Sequence, residues 1–418
     1  MPPLTLLFLT ALALGLALEY WLLARQARQA RLHRDQVPDA FAERIALAEH
    51  QKAADYTQAK IGLARLDLAL GAVLLLVWTL GGGLDWVLGW WRGLDLPPPL
   101  LGALGLLTVL LLQGLLDQPL ALWRTFRLEQ SFGFNRATPG QYLKDLLIGA
   151  LLAVLIGGPL LAVVLWLMEQ AGDFWWLYAW LVWMGFSLLM TWAYPTLIAP
   201  LFNQFTPLTD EALLTRIQAL MERCGFTSQG IFVMDGSRRS SHGNAYFTGF
   251  GRNKRIVFFD TLLKGLAVEE LEAILAHELG HFRRHHLHKG LLLSALLSLG
   301  GFALLGWLAG QAWFYAGLGV SQPSPAAALM LFLLVAPVFL QFVAPLGSWL
   351  SRKHEFEADE FALSQADGRA LIRALVKLYQ DNASNLTPDS LYSAFHDSHP
   401  PAPVRIAHIS SKLAVSST

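Results

Sequence analysis

Long apolar runs separated by short charged segments dominate this chain. A helix that crosses a bilayer needs about 20 mainly apolar residues, and seven stretches qualify: residues 4–24, 66–91, 99–123, 146–168, 174–196, 290–313 and 325–349. The second is interrupted by Gly81, Gly82, Gly83 and Asp85, and the third carries Asp117 near its end. Residues 31–60 read as an amphipathic helical hairpin or surface helix with Pro38 near a turn, a solvated connection. Residues 197–289 and 350–418 contain no crossing. The first of these segments predicts a helix over 209–224, strands over 230–234, 245–250 and 255–259, and a further helix from about Val268.

Composition reinforces the pattern. Of 418 residues, 54% are hydrophobic and 15% charged, against roughly 25% charged in soluble domains, so the expected class is an α-helical polytopic membrane protein. The 31 basic and 31 acidic residues cancel, which gives no footing for a nucleic-acid partner. A single cysteine, Cys224, excludes disulfide scaffolds and cysteine-rich zinc modules. No Lys or Arg precedes the first apolar run, so it is expected to be an anchor and not a cleaved signal.

Arg25, Arg28, Arg31 and Arg34 follow that run at once, and Arg124, Arg127, Arg136 and Lys144 lie between the third and fourth runs. The alternate loops are poor in positive charge. By the positive-inside rule the N-terminus is outside, and residues 197–289 and 350–418 are cytoplasmic.

The first cytoplasmic segment carries His277-Glu278-Leu279-Gly280-His281. The i,i+4 spacing places both imidazoles on one helical face about 6 Å apart along the axis, close enough to share one tetrahedral ion. Glu278 lies one residue along, where its carboxylate can take a proton from a metal-activated water without binding the metal. A third ligand is required. His285 and His288 lie at least one further turn along the helix, and with His286 they read as a polar cluster at the membrane boundary. Glu355, just past the last apolar run, is the better candidate. Asp359 is i,i+4 from it and suited to orienting a ligand histidine, while Glu357 points to another face. Two crossings separate His281 from Glu355, which returns the chain to the same side.

With these motifs in place the chain resembles the type 1 CAAX prenyl endopeptidases, integral-membrane zinc metalloproteases. The resemblance also rests on Phe132-Gly133-Phe134-Asn135 with Thr138, Ala199-Pro200-Leu201-Phe202-Asn203, Ser240-Ser241-His242-Gly243-Asn244-Ala245-Tyr246, and Ser398-His399-Pro400-Pro401 with Arg405. It implies seven transmembrane helices forming a barrel around an internal chamber, closed by a cytosolic α+β zinc metalloprotease domain. It further implies one Zn²⁺ per chain, with His277, His281 and Glu355 as ligands and Glu278 as base. His399 and Arg405 then join the catalytic set. His399 is held by two prolines as a donor to the oxyanion, and Arg405 supports that loop or the same charge. The strand from Ala245 to Phe250 reads as an exposed edge on which an extended peptide pairs, with Asn244, Ala245 and Tyr246 binding substrate.

The expected organisation is spans one to five over 1–203, the first part of the zinc domain over 204–289, spans six and seven over 290–349, and the rest of the zinc domain over 350–418. Substrates are peptides or membrane-associated proteins, prenylated or not, and a quality-control protease with no prenyl requirement is the alternative. A transporter fits less well, because its ionisable residues belong in mid-span and its halves repeat. Arg outnumbers Lys by more than two to one, which favours a bacterial inner membrane over the endoplasmic reticulum.

Overall fold

The computed structural model describes residues 1–228, 230–248 and 255–416. Apolar length builds the membrane region. Helices Pro3–Leu32, Leu47–Trp78, Pro98–Glu129, Pro139–Gln170, Gly172–Phe202 and His286–Ala309 are each long and apolar enough to cross. A seventh span is formed only if helices Pro325–Leu340 and Ala344–Gln365, bent by 69° to each other, are taken together.

Two runs differ from the sequence expectation. The second crossing does not reach residue 91: its helix stops at Trp78, Gly82 adopts a left-handed φ of 74°, and a separate helix Gly83–Trp91 follows. Leu84, Val87 and Leu88 of that short helix join the same apolar core as Leu106 and Leu165. The seventh run is a broken one: Pro325–Leu340 and the start of Ala344–Gln365 qualify as a crossing only together, and the charged segment around Glu355 lies past the bend. Residues 31–60 do form a hairpin. The first two spanning helices continue past the membrane and turn through Pro38 and a 3₁₀ turn at Asp39–Phe41, with Arg34 bidentate on Asp55 at 2.8 Å.

The spanning helices bury little of themselves. Helix Pro139–Leu152 has no buried residue, and Trp175–Ala193 buries only Trp175, Ala179 and Ala193. A compact monomer of this mass would expose about 16,000 Å², whereas this chain exposes 21231 Å². The difference fits helices that line a hollow instead of packing into a solid bundle.

The second core belongs to an α+β domain. Strands β1 (Phe205–Pro207), β2 (Gly230–Met234), β3 (Ala245–Thr248) and β4 (Arg255–Phe259) form one sheet in the order β1-β2-β4-β3. β2 and β4 are parallel, and the outer strands are antiparallel to their neighbours. β3 is therefore an edge; Gly249 and Phe250 of the expected strand lie outside the described residues. Helix Val268–Arg283 presents Leu271, Ile274, Leu275 and Leu279, an i, i+3, i+4, i+8 stripe, to the core shared with Ile231, Ile256 and Phe258. Arg25 pairs with Asp389 at 2.9 Å and Arg239 with Asp145 at 2.8 Å, which fastens this domain to the charged ends of the spanning helices.

The opposite face of helix Val268–Arg283 meets helix Ala344–Gln365. At Gly280 a Cβ would lie 2.9 Å from Ala358 Cα and 3.0 Å from its carbonyl oxygen. Backbone cannot yield as a side chain does, so only glycine allows this approach. Gly280→Ala is expected to force the helices apart and destabilise the domain by about 1–3 kcal/mol. A thermal-melt comparison with wild type in detergent checks this, and an unchanged midpoint would contradict the close approach.

Candidate metal centre

The two helices in contact at Gly280 and Ala358 carry the site. His277 and His281 project from one, and Glu355 from the other. One ligand atom from each lies within 4.8 Å of the others. His281 Nε2 is 3.3 Å from His277 Nε2 and 3.2 Å from Glu355 Oε1, and His277 Nε2 is 3.4 Å from Glu355 Oε2. His277 and Glu355 are buried, while His281 and Glu278 are partly open.

The partners behind these groups fix their tautomers. The His277 Nδ1–H donates to Asp359 Oδ1 at 2.8 Å, so its Nε2 presents a lone pair. Asp359 is fully buried and accepts two bonds from Arg405, from Nε at 2.9 Å and from Nη2 at 2.5 Å. On the other side, His286 Nε2–H donates to Glu357 Oε2 at 3.0 Å. His286 Nδ1, 3.0 Å from His281 Nδ1, then accepts the His281 Nδ1–H, and His281 Nε2 also presents a lone pair. With the ring protons so placed, two ring nitrogens and a carboxylate converge. Glu355 Oε2 is buried without an aligned donor.

Such a convergence calls for a cation. Burial and the Arg405 charge oppose a proton on His277, yet hydrogen bonds with Asp359 and Glu355 outweigh them and lift its pKa to about 9. Burial alone would raise the Glu355 carboxyl, but His277 and His281 hold it well below the usual carboxylate range. A proton satisfies one nitrogen at a time. A single metal ion satisfies the whole set, and two imidazoles with one carboxylate is a donor set that suits zinc and leaves a position open. The residues present fit a catalytic metal.

Residues 26–204 match the family described as CAAX prenyl protease N-terminal, five membrane helices, and residues 207–413 match peptidase family M48. The chain belongs to the M48 peptidase family. A CAAX prenyl protease 1 homolog of Arabidopsis thaliana is 37% identical over 76% of this chain and 75% of its own length. CAAX prenyl protease 1 of Saccharomyces cerevisiae is 38% identical over 71% and 69%, and the human homolog 33% over 71% and 70%. The crystal structure of S. mikatae Ste24p superposes with a TM-score of 0.91 at 29% identity, covering 98% of this chain and 99% of that one. This M48 peptidase is thus an integral, multi-pass membrane zinc metalloendopeptidase acting on peptide or protein substrates.

Of the remaining expected site residues of this peptidase, Glu278 flanks the cluster and makes no hydrogen bond or ion pair among the described residues. His399 Nε2 reaches Glu355 Oε1 at 3.3 Å, with Ser398 Oγ 2.9 Å from its Nδ1. Arg405 is buried behind His277, where its donors face Asp359 and Glu355. Asn244, Ala245 and Tyr246 lead into and along edge β3. The Ala245 N–H donates to Asn244 Oδ1 at 2.8 Å, and the Phe259 N–H to the Asn244 carbonyl at 3.0 Å. Their contacts are with neighbouring strands and not with the metal-facing groups. The Phe132–Asn135 and Ser240–Asn244 motifs clasp each other: Phe134 stacks on His242 at 4.4 Å, and the Ser241 N–H donates to the Phe134 carbonyl at 3.1 Å.

His286 opens the sixth spanning helix, at the membrane boundary as expected, and is also buried against His281 and stacked on His354 at 4.0 Å. In a continuous helix it would sit about 140° around from His281. The helix instead ends at Arg283, and His285 takes a left-handed φ of 58°, which swings His286 back toward the site. Glu357, set on another face than Glu355, holds His286 there. Glu357→Gln is expected to weaken metal affinity by roughly 10- to 100-fold, measured by competition with a chelator; unchanged affinity would sever the relay.

Proposed function

We propose that His277, His281 and Glu355 hold one Zn²⁺ per chain and that the chain cleaves peptide bonds near the C-termini of CAAX-type substrates. The observation that carries this reading is the convergence of two lone-pair nitrogens and a carboxylate, with an unpartnered carboxylate, Glu278, one residue along. Zinc bound there supplies Lewis acidity, making water nucleophilic near neutral pH and polarising a peptide carbonyl.

The chain's own groups do the rest. Glu278, with no competing partner, accepts the proton of the attacking water and passes it to the leaving amine. His399, two-thirds exposed at its side chain, donates toward the oxyanion. Arg405 acts behind the ligands: bidentate on Asp359, it holds the acceptor that orients His277. Edge β3 offers its free backbone to an extended peptide, with Asn244, Ala245 and Tyr246 setting its register.

The same reading divides the chain at 203, 289 and 349, with residues 204–289 and 350–418 forming one protease domain around the membrane spans. The Arg-rich ends support a cytoplasmic location for that domain, and the preference for Arg over Lys suits a bacterial inner membrane. Prenylated substrates are proposed on the strength of the relatives' names. Unprenylated membrane-associated peptides form the second reading, favoured by the bacterial setting.

Three measurements test these assignments. Purified protein is expected to contain one equivalent of zinc, and His281→Ala or Glu355→Ala to lose stable binding; full zinc in either variant would displace that residue as a ligand. Glu278→Gln is expected to keep zinc and fold while losing almost all turnover, and near-wild-type cleavage would remove Glu278 as the base. Reporter fusions at residues 2 and 418 are expected to label opposite sides of the membrane, and labelling on one side would break the count of crossings.

A further inference from the structure

Beside the metal centre lies a cavity of about 470 Å³, within the size range of binding pockets. One wall is the loop that carries Asp397 and His399, and the other is the pair of spanning helices, through Gln26, Thr57 and Lys60. Lys60 is unusual there. It is solvent-accessible and lines a cavity, yet among the described residues it forms no hydrogen bond or ion pair. Its ammonium stands 4.1 Å from the centre of the Tyr56 ring. The nearby Glu129 accepts from Tyr56 Oη at 2.7 Å through Oε1, while its buried Oε2, 3.8 Å from His242 Nε2, makes no hydrogen bond; its charge acts on Lys60 without a direct ion pair. Asp397 is the only carboxylate among the lining residues. It stands on the opposite wall, two residues from His399, and does not pair with Lys60.

The cavity therefore offers an uncommitted cation at one end and His399, in contact with Glu355, at the other. We propose that Lys60 receives the C-terminal carboxylate of the substrate. This inference rests on the peptidase reading above and specifies how that site selects its substrates. A C-terminal C-a-a-X signature keeps its carboxylate within three residues of the cysteine, a reach of at most about 10 Å. A chain cut at the metal thus carries its terminal charge into the adjoining cavity. The contact is charge-assisted, and an uncharged terminus forfeits it.

The test uses full-length zinc-loaded enzyme and two peptides identical except for a terminal carboxylate or carboxamide. The acid is expected to show a KM lower than the amide by roughly 10- to 100-fold, the range for a hydrogen bond to a charged group. In Lys60→Gln the acid should fall to the level of the amide, with the amide's kcat and KM unchanged, and Lys60→Arg should restore part of the preference. No preference in the wild type overturns the proposal, as does an equal loss for both peptides in Lys60→Gln with an unaltered thermal melt. Should the wild type cleave neither peptide, the peptidase reading fails separately. Fluorescence anisotropy of both labelled peptides on Glu278→Gln then still decides, since equal affinities overturn the role of Lys60. Vesicles of anionic and of neutral lipid form a further arm. Preference for the acid in neutral lipid supports the peptide carboxylate, and loss of the preference only when anionic lipid is present assigns Lys60 to lipid headgroups instead.

Discussion

The close contact of Gly280 with Ala358 governs the rest of the site. The three groups proposed to bind metal lie on two helices that are far apart in sequence, and their separation is set by how closely those backbones approach. A side chain at 280 would collide with main-chain atoms, and the imidazoles would part from Glu355 by the same displacement. The sheet fixes one helix from behind through Leu271, Ile274 and Leu275, and the Arg405–Asp359 pair clamps the other. Position 280 therefore controls distances that no ligand residue controls by itself.

The electrostatics of the cluster follow from that geometry. Burying Glu355, Asp359 and Arg405 side by side is costly, because each loses hydration that only near-ideal partners restore. Asp359 and Arg405 find such partners in each other. Glu355 does so incompletely: its Oε2 has no aligned hydrogen-bond donor, only His277 and Arg405 at 3.4 Å. A charge left partly unsatisfied in a buried site is expensive where its only role is structural, and useful where a cation completes it.

Much of this was legible in the sequence. Apolar length disclosed the crossings, the i,i+4 spacing of His277 and His281 disclosed the metal face, and Glu355 with Asp359 followed from the need for a third ligand on the same side of the membrane. The gaps share a cause. The second run overshoots its helix because Gly82 follows the helix end with a left-handed backbone angle that hydropathy does not record. The inward turn of His286 is hidden from periodicity because a single left-handed residue, His285, follows the end of the helix that carries His281. The bend after Leu340 likewise breaks the seventh run without a change in composition. Periodicity reads regular helix well, and each failure lies at a break in regularity. The open cation at Lys60 was invisible for another reason: whether a lysine is paired depends on contacts between spanning helices and a loop more than 300 residues later.

The placement of the cluster also has a consequence in time. His281 and Glu355 stand 74 residues apart, with two membrane crossings between them. At about 5–20 residues per second, a ribosome needs several seconds to proceed from one to the other, and the intervening helical pair must enter the bilayer before the later helix can dock. During that interval the nascent chain already carries both imidazoles and the carboxylate at 278, but not the acid that completes the set. The groups proposed to hold the metal are thus incomplete until the later helix has been made and has docked.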